Sequence, residues 1–152
     1  METNPVSPLK AHLGYWLRLV SNQVSGAFAA KLAARKMTVA GWAMMRELYD
    51  RDRPPSEIAE ALRFTRGGIT KLVDRLAARG LLTRSKSTAD GRAQMLSLTA
   101  AGRHLVRQLA LLADRNDEEF FAGLGARERA QLLAALRKLA ARNRIDQTIP
   151  TD

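Results

Sequence analysis

The chain has 152 residues, no cysteine and a formal charge of +10, with a sequence pI of about 11.0. That length fits one domain with a real core, and the missing cysteines exclude disulfides, thiolate metal sites and thiol redox sensing. No apolar run approaches the ~20 residues of a membrane span and the N-terminus lacks a signal-peptide core, so a cytoplasmic protein without a membrane partner is expected.

Residues 1–8, with two prolines among polar side chains, read as a loose lead. A long helix is predicted from Leu9 to Arg35. Its apolar positions Leu13, Trp16, Leu17, Val20, Val24, Ala27, Phe28 and Leu32 alternate between steps of three and four and draw a single stripe. That stripe needs a partner surface along its whole length. Thr38 caps the next helix, with Trp42, Met45, Leu48 and Tyr49 on its buried side, and a charged turn over 50–53 leads out of it. Pro54-Pro55-Ser56 opens a short helix, where proline is tolerated because first-turn N–H groups have no helical partner. Ile58, Ala59 and Leu62 are its apolar contacts.

The following helix is the centre of the sequence. Thr65 caps it, and Ile69, Leu72, Val73 and Leu76 give one apolar stripe at i, i+3, i+4 and i+7. The opposite face carries Gly67, Thr70, Lys71 and Asp74, with Arg66 and Arg75 at its edges. Gly80 ends the helix. Two strands, Leu81 to Lys86 and Ala93 to Leu98, flank a tip of turn residues over 87–92. Thr99-Ala100-Ala101-Gly102 caps a long helix from Ala100 to about Phe121, whose apolar line is Leu105, Leu109, Leu112 and Ala113. Gly123-Leu124-Gly125 breaks it. A last helix, Ala126 to about Arg144, carries Leu132, Leu133, Leu136 and Leu139. The tail 145–152 reads as poorly ordered, with Ile145 and Ile149 available to dock on a partner.

Helix, turn, helix and hairpin make a winged helix-turn-helix, a shape that sets one helix in a major groove. The expected fold is mainly α with a small β wing. The DNA-binding region is placed at 37–99, flanked by an N-terminal helix over 1–36 and C-terminal helices over 100–152 that serve dimerisation. Charge agrees with this placement. Residues 53–92 hold nine Lys or Arg against four Asp or Glu, a net of +5, so half the chain's charge lies in about a quarter of its length. Such a surface attracts phosphate.

The residues Ser56-Glu57-Ile58-Ala59, the run from Thr65 to Leu76, Gly80-Leu81, Asp90-Gly91-Arg92 and Leu98-Thr99-Ala100-Ala101-Gly102 together resemble the MarR family of bacterial transcription regulators. The last two blocks match the family's D-x-R wing motif and L-T-x-x-G junction. The resemblance covers nearly the whole chain and implies a homodimer joined through its terminal helices. Two recognition helices about one duplex turn apart then read a near-palindromic operator in double-stranded DNA. One departure is Arg63, where many members carry glycine in the helix-turn-helix bend. At positive φ it would store about 1 kcal/mol of strain.

Arg66, Thr70 and Lys71 are the candidates for base contact, since Arg and Lys donate to guanine and a Thr methyl meets the thymine methyl. Gly67 would let the backbone approach closely. The competing reading is helix surface that touches phosphate only. Thr65 and Arg75 complete the candidate face, and Arg84 and Lys86 on the rising strand are either phosphate contacts or a solvated strand. Arg92 is the candidate for the minor groove, which the resemblance also implies, while Asp90 would hold the wing through a nearby Arg.

His12, Tyr15, Trp16, Arg18 and Trp42 are the candidate ligand residues. The resemblance implies a small aromatic anion bound where the dimer helices meet the winged helix, and aromatic walls beside Arg or His would suit it. Core packing is the competing role for both tryptophans. Two histidines without cysteine give no zinc site, and no metal or cofactor is expected. Nor is there a P-loop, an H-E-x-x-H motif or a nucleophile elbow, so no enzyme is expected. The function read from the sequence is a sequence-specific, DNA-binding transcriptional regulator, and the resemblance implies a repressor released by a small aromatic or anionic ligand. The alternative is a winged helix used for protein–protein contact.

Overall fold

A computed structural model describes residues 6–86, 91 and 93–146. Six helices and a two-stranded antiparallel sheet follow one another: α1 (Leu13–Ala33), α2 (Val39–Asp50), α3 (Pro55–Ala61), α4 (Arg66–Ala78), β1 (Leu82–Lys86), β2 (Gln94–Leu98), α5 (Ala100–Phe120) and α6 (Ala126–Arg142). This is the mainly α fold with a β wing that the sequence predicts. Asp90 and Arg92 of the wing tip lie outside the described residues.

Three of the helices start in the same way. Thr38, Thr65 and Thr99 each adopt extended backbone and accept a hydrogen bond through Oγ1 from a glycine N–H three residues on, at 3.0 Å in each case. The threonine satisfies a first-turn donor that has no helical partner. Glycine at the third position keeps the cap uncrowded, since a Cβ at Gly41 or Gly68 would stand 3.2 Å from the capping hydroxyl. Gly102 has a harder constraint. A Cβ there would lie 2.0 Å from the Leu81 carbonyl oxygen, and the same carbonyl accepts from the Thr99 N–H at 3.1 Å. The L-T-x-x-G junction is therefore the place where α5 is laid against the end of the α4–β1 turn.

The core lies between α2, α4, the wing and the first half of α5. Met44, Met45, Leu48, Leu76, Leu96 and Leu109 are at its centre. Ile69, Leu72, Val73 and Leu76 are all buried, so the α4 stripe is an inward face. On α5 the inward residues include Val106 and Leu109, with Leu105 and Leu112 half-buried against them.

The first helix departs from expectation. Leu9–Ala11 forms a short 3-10 turn, His12 is extended, and the α-helix begins at Leu13. The Trp16 indole N–H donates to the Lys10 carbonyl at 2.9 Å, which fixes this irregular start. The first half of its stripe is uncovered, with Leu13, Trp16, Leu17 and Val20 exposed, while Val24, Ala27 and Phe28 are half-buried and Leu32 is the one buried residue of α1. On α6, likewise, Leu132, Leu133, Leu136 and Leu139 are exposed and no residue is buried. What α1 does hold inside the chain is a polar tie to α5. Asn116, 3% exposed, donates to the Val24 carbonyl at 3.2 Å and accepts from Lys31 at 3.0 Å, and Lys31 also pairs with Glu119 at 2.8 Å.

Candidate nucleic-acid interface

The bend before α4 is made by Arg63, whose φ of 54° is in the left-handed region. A residue with a Cβ stores about 1 kcal/mol there, the strain anticipated from its sequence position. The bend turns α4 so that its apolar stripe packs inward and its other face meets solvent. Thr65, Arg66, Gly67, Thr70, Lys71, Asp74 and Arg75 are all exposed on that face. The helix ends at Gly80, with φ 69°, and the Leu81 N–H donates back to the Leu76 carbonyl at 3.1 Å. At the same end the Arg79 guanidinium donates to the Lys36 carbonyl at 2.5 Å, tying α4 to the loop that follows α1.

Charge on this surface is divided by partnership. Arg66, Lys71, Arg75 and Lys86 have no carboxylate within ion-pair distance among the described residues. Other cations nearby are engaged: Arg53 with Glu47 at 3.1 Å, Arg51 with Glu57 at 3.1 Å, and Arg84 with Asp74. The exposed face of α4 thus keeps Arg66, Lys71 and Arg75 without carboxylate partners among the described residues, while its Asp74 is taken up by Arg84 of the wing. Thr70 adds a detail. Its hydroxyl donates to the Arg66 carbonyl at 3.0 Å, which spends its proton inside the helix and leaves the methyl and the oxygen's acceptor side exposed.

The wing register explains the position of Arg84. Leu82 pairs with Leu98, Arg84 with Leu96 and Lys86 with Gln94. Cross-strand partners share a face, and that face includes the buried Leu82, Leu96 and Leu98. Arg84 is therefore turned towards α4, where it meets Asp74, and it joins wing to recognition helix instead of standing free on a solvated strand. Lys86, further out, is exposed beside a shallow cavity of about 260 Å3 that it lines with Arg84, Ser85 and Gln94. A third short strand contact supports the hairpin, as Arg53 and Leu96 exchange backbone hydrogen bonds at 3.2 and 2.8 Å.

The five candidate ligand residues are not brought together within one chain. Tyr15 and Trp16 meet edge to face at 5.3 Å, and His12 and Arg18 are exposed near them. Trp42 instead meets Phe28, at 6.1 Å. Phe28 is twelve residues beyond Trp16 on the same helix, roughly 18 Å along its axis at 1.5 Å per residue. The two groups therefore do not line one pocket within the chain. The polar cluster of Asn116 and Lys31 was not foreseen, because its two members are 85 residues apart and neither belongs to a motif. No group of three or more metal-ligating side chains occurs among the described residues.

A capped helix presented by a helix-turn-helix, with a two-stranded wing locked to its side, defines a winged helix-turn-helix protein. Residues 36–93, which contain this unit, match the model of the MarR family. Among curated proteins, the transcriptional regulator PapX of Escherichia coli is 33% identical over 87 residues, 57% of this chain and 53% of PapX. The chain thus spans about half the length of that curated relative. Among solved structures, Bordetella bronchiseptica BpsR, described for the regulation of its DNA binding by 6-hydroxynicotinic acid, superposes with a TM-score of 0.73 at 26% identity over 90% of this chain and 98% of that one. A cysteine-to-serine variant of Escherichia coli MarR, complexed with operator DNA, gives 0.70 at 24% identity over 84% and 92%. The winged-helix unit of the chain thus resembles that of the MarR family, and the fold over most of its length is the one these solved structures share. No helix among the described residues is long and apolar enough to cross a membrane.

Proposed function

We propose that this protein is a sequence-specific regulator of transcription that binds double-stranded DNA as a homodimer. Residues 37–99 form the DNA-binding region, and 1–36 with 100–152 form the dimerisation region. The observation that carries the reading is the exposed face of α4. It presents Arg66, Lys71 and Arg75 without carboxylate partners among the described residues, on the helix that Arg84 joins to the wing. Cations held this way favour phosphate and the major-groove edge of guanine. The uncovered leucines of α1 and α6 support pairing of two copies, and pairing supports a near-palindromic operator. That MarR was crystallised with operator DNA supports the same partner.

The regulator acts as a repressor, and a small aromatic or anionic ligand releases it. The named ligand of BpsR, an aromatic acid, supports this class of effector. The test is duplex selection from a random pool at 50 mM salt, a range in which phosphate contacts are strong, followed by gel-shift titration of the enriched site and of a scrambled duplex. An inverted repeat bound more tightly than its scrambled form is expected, with binding weakened by aromatic carboxylates. Retention of no duplex, or equal affinity for all duplexes, would overturn sequence-specific regulation. A titration in which no aromatic acid shifts the bound fraction would remove the effector half alone.

A further inference from the structure

Arg63 is the residue of the helix-turn-helix bend, two positions before the cap of α4, and its guanidinium is not idle. Its Nη2 donates to the Asp146 carboxylate at 2.6 Å, across 83 residues of sequence. Asp146 lies just beyond α6. The chain reverses there through Arg144, at φ 51°, and the Ile145 N–H closes the turn on the Ala140 carbonyl at 2.9 Å. Two strained residues, one at each end of the contact, thus bring the tail of the dimerisation region onto the DNA-facing bend.

The pair is a poor choice for stability alone. Arg63 and Asp146 side chains are 69% and 51% exposed, and ion pairs so solvated contribute little. An exposed arginine beside the start of a recognition helix is, however, in the place where this kind of helix meets the DNA backbone. Glycine would relieve the bend but would bring no side-chain charge to it. We propose that Arg63 contacts DNA phosphate and that Asp146, its partner in the unbound protein, competes for it, so that the C-terminal tail acts as an acidic brake on DNA binding. The inference rests on the DNA-binding reading above. Charge balances simply: one carboxylate leaves the guanidinium and one phosphate oxygen takes its place.

The full-length protein is titrated with operator and random duplex between 50 and 200 mM salt, as wild type, Asp146→Asn, Arg63→Ala, Arg63→Lys and the Arg63→Ala/Asp146→Asn double variant. Asp146→Asn should tighten both duplexes by about 1.5- to fivefold per protomer, the span of an exposed ion pair. Arg63→Ala should weaken both and flatten the salt slope by about 0.9 per protomer, whereas Arg63→Lys should keep the slope. In the Arg63→Ala background the gain from Asp146→Asn should vanish. A gain that persists there would mean that Asp146 acts by long-range charge alone, and the brake would be overturned. An unchanged slope in Arg63→Ala, in a protein whose wild type binds DNA and whose Lys71→Ala variant binds less, would overturn the phosphate contact while leaving the DNA reading intact. If the wild type binds no duplex, both fail together.

Discussion

Gly67 and Gly68 stand side by side at the start of α4, and their surroundings separate their roles. A Cβ at Gly68 would meet the capping Thr65 hydroxyl at 3.2 Å, whereas a Cβ at Gly67 would meet nothing within 4 Å. In the free protein Gly67 is therefore an unforced loss, since glycine in a helix is less stable than alanine by about 0.5–1 kcal/mol. Close approach to DNA is the use that makes sense of it. Gly67→Ala should gain up to about 0.5–1 kcal/mol in denaturant unfolding while operator affinity falls about tenfold or more, the scale of one lost base-pair contact. A variant that is more stable and binds as well as wild type would show that DNA does not reach this point. Thr70 can be tested in the same spirit. Its hydroxyl proton is spent on the Arg66 carbonyl, which leaves the methyl and the acceptor side of the oxygen. If the methyl makes the contact, Thr70→Val should preserve operator affinity and Thr70→Ala should lose ~1 kcal/mol or more at a thymine-bearing pair. Equal losses in both would assign the hydroxyl, and not the methyl, to DNA.

At the scale of elements, the junction between α4, β1 and α5 sets backbone directly against backbone. Gly102→Ala would drive a Cβ to 2.0 Å from the Leu81 carbonyl oxygen. The atom it meets is backbone, so relief requires moving α5 as a body. The expected destabilisation is about 1–3 kcal/mol, as for overpacked sites, read from urea unfolding at constant protein concentration. An unchanged midpoint would mean that α5 can slide at no cost. Such elements were legible in the sequence to the extent that their partners were local. The α4 stripe, the three threonine caps and the Gly80 terminus all depend on residues within one or two turns, and periodicity reports those directly. Arg84 was not legible, because its orientation follows from the strand register and from Asp74 on another element. The Asn116–Lys31 tie was hidden for the same reason, its members being 85 residues apart. The extended His12 was missed although its neighbouring contact, Trp16 to Lys10, is local, because a single indole hydrogen bond leaves no periodic trace. The stripes of α1 and α6 were read as needing a partner surface, and the single chain leaves most of their residues exposed.

For the whole molecule, that exposure sets up a direct test of why two copies would matter. Leu136 is 41% exposed at the middle of the α6 stripe, and Leu132, Leu133 and Leu139 continue the apolar line to either side. None of them is buried in the chain's own core, so a charge placed there should leave the protomer folded. Leu136→Glu would instead put a carboxylate into any apolar surface that a second copy lays over α6, where an unpaired charge is strongly unfavourable. The variant should sediment as a monomer with an unchanged helical circular dichroism spectrum. Its recognition helix and wing would be intact, so affinity for a single half-site should match that of wild type. Affinity for the full inverted repeat should drop by about a hundredfold or more, because the second half-site no longer benefits from the high effective concentration that a linked pair provides. The two measurements check one another. A variant that stays dimeric would place the interface elsewhere than α6, and a true monomer that still binds the full repeat with wild-type affinity would mean that one recognition face of 65–75 suffices for the operator.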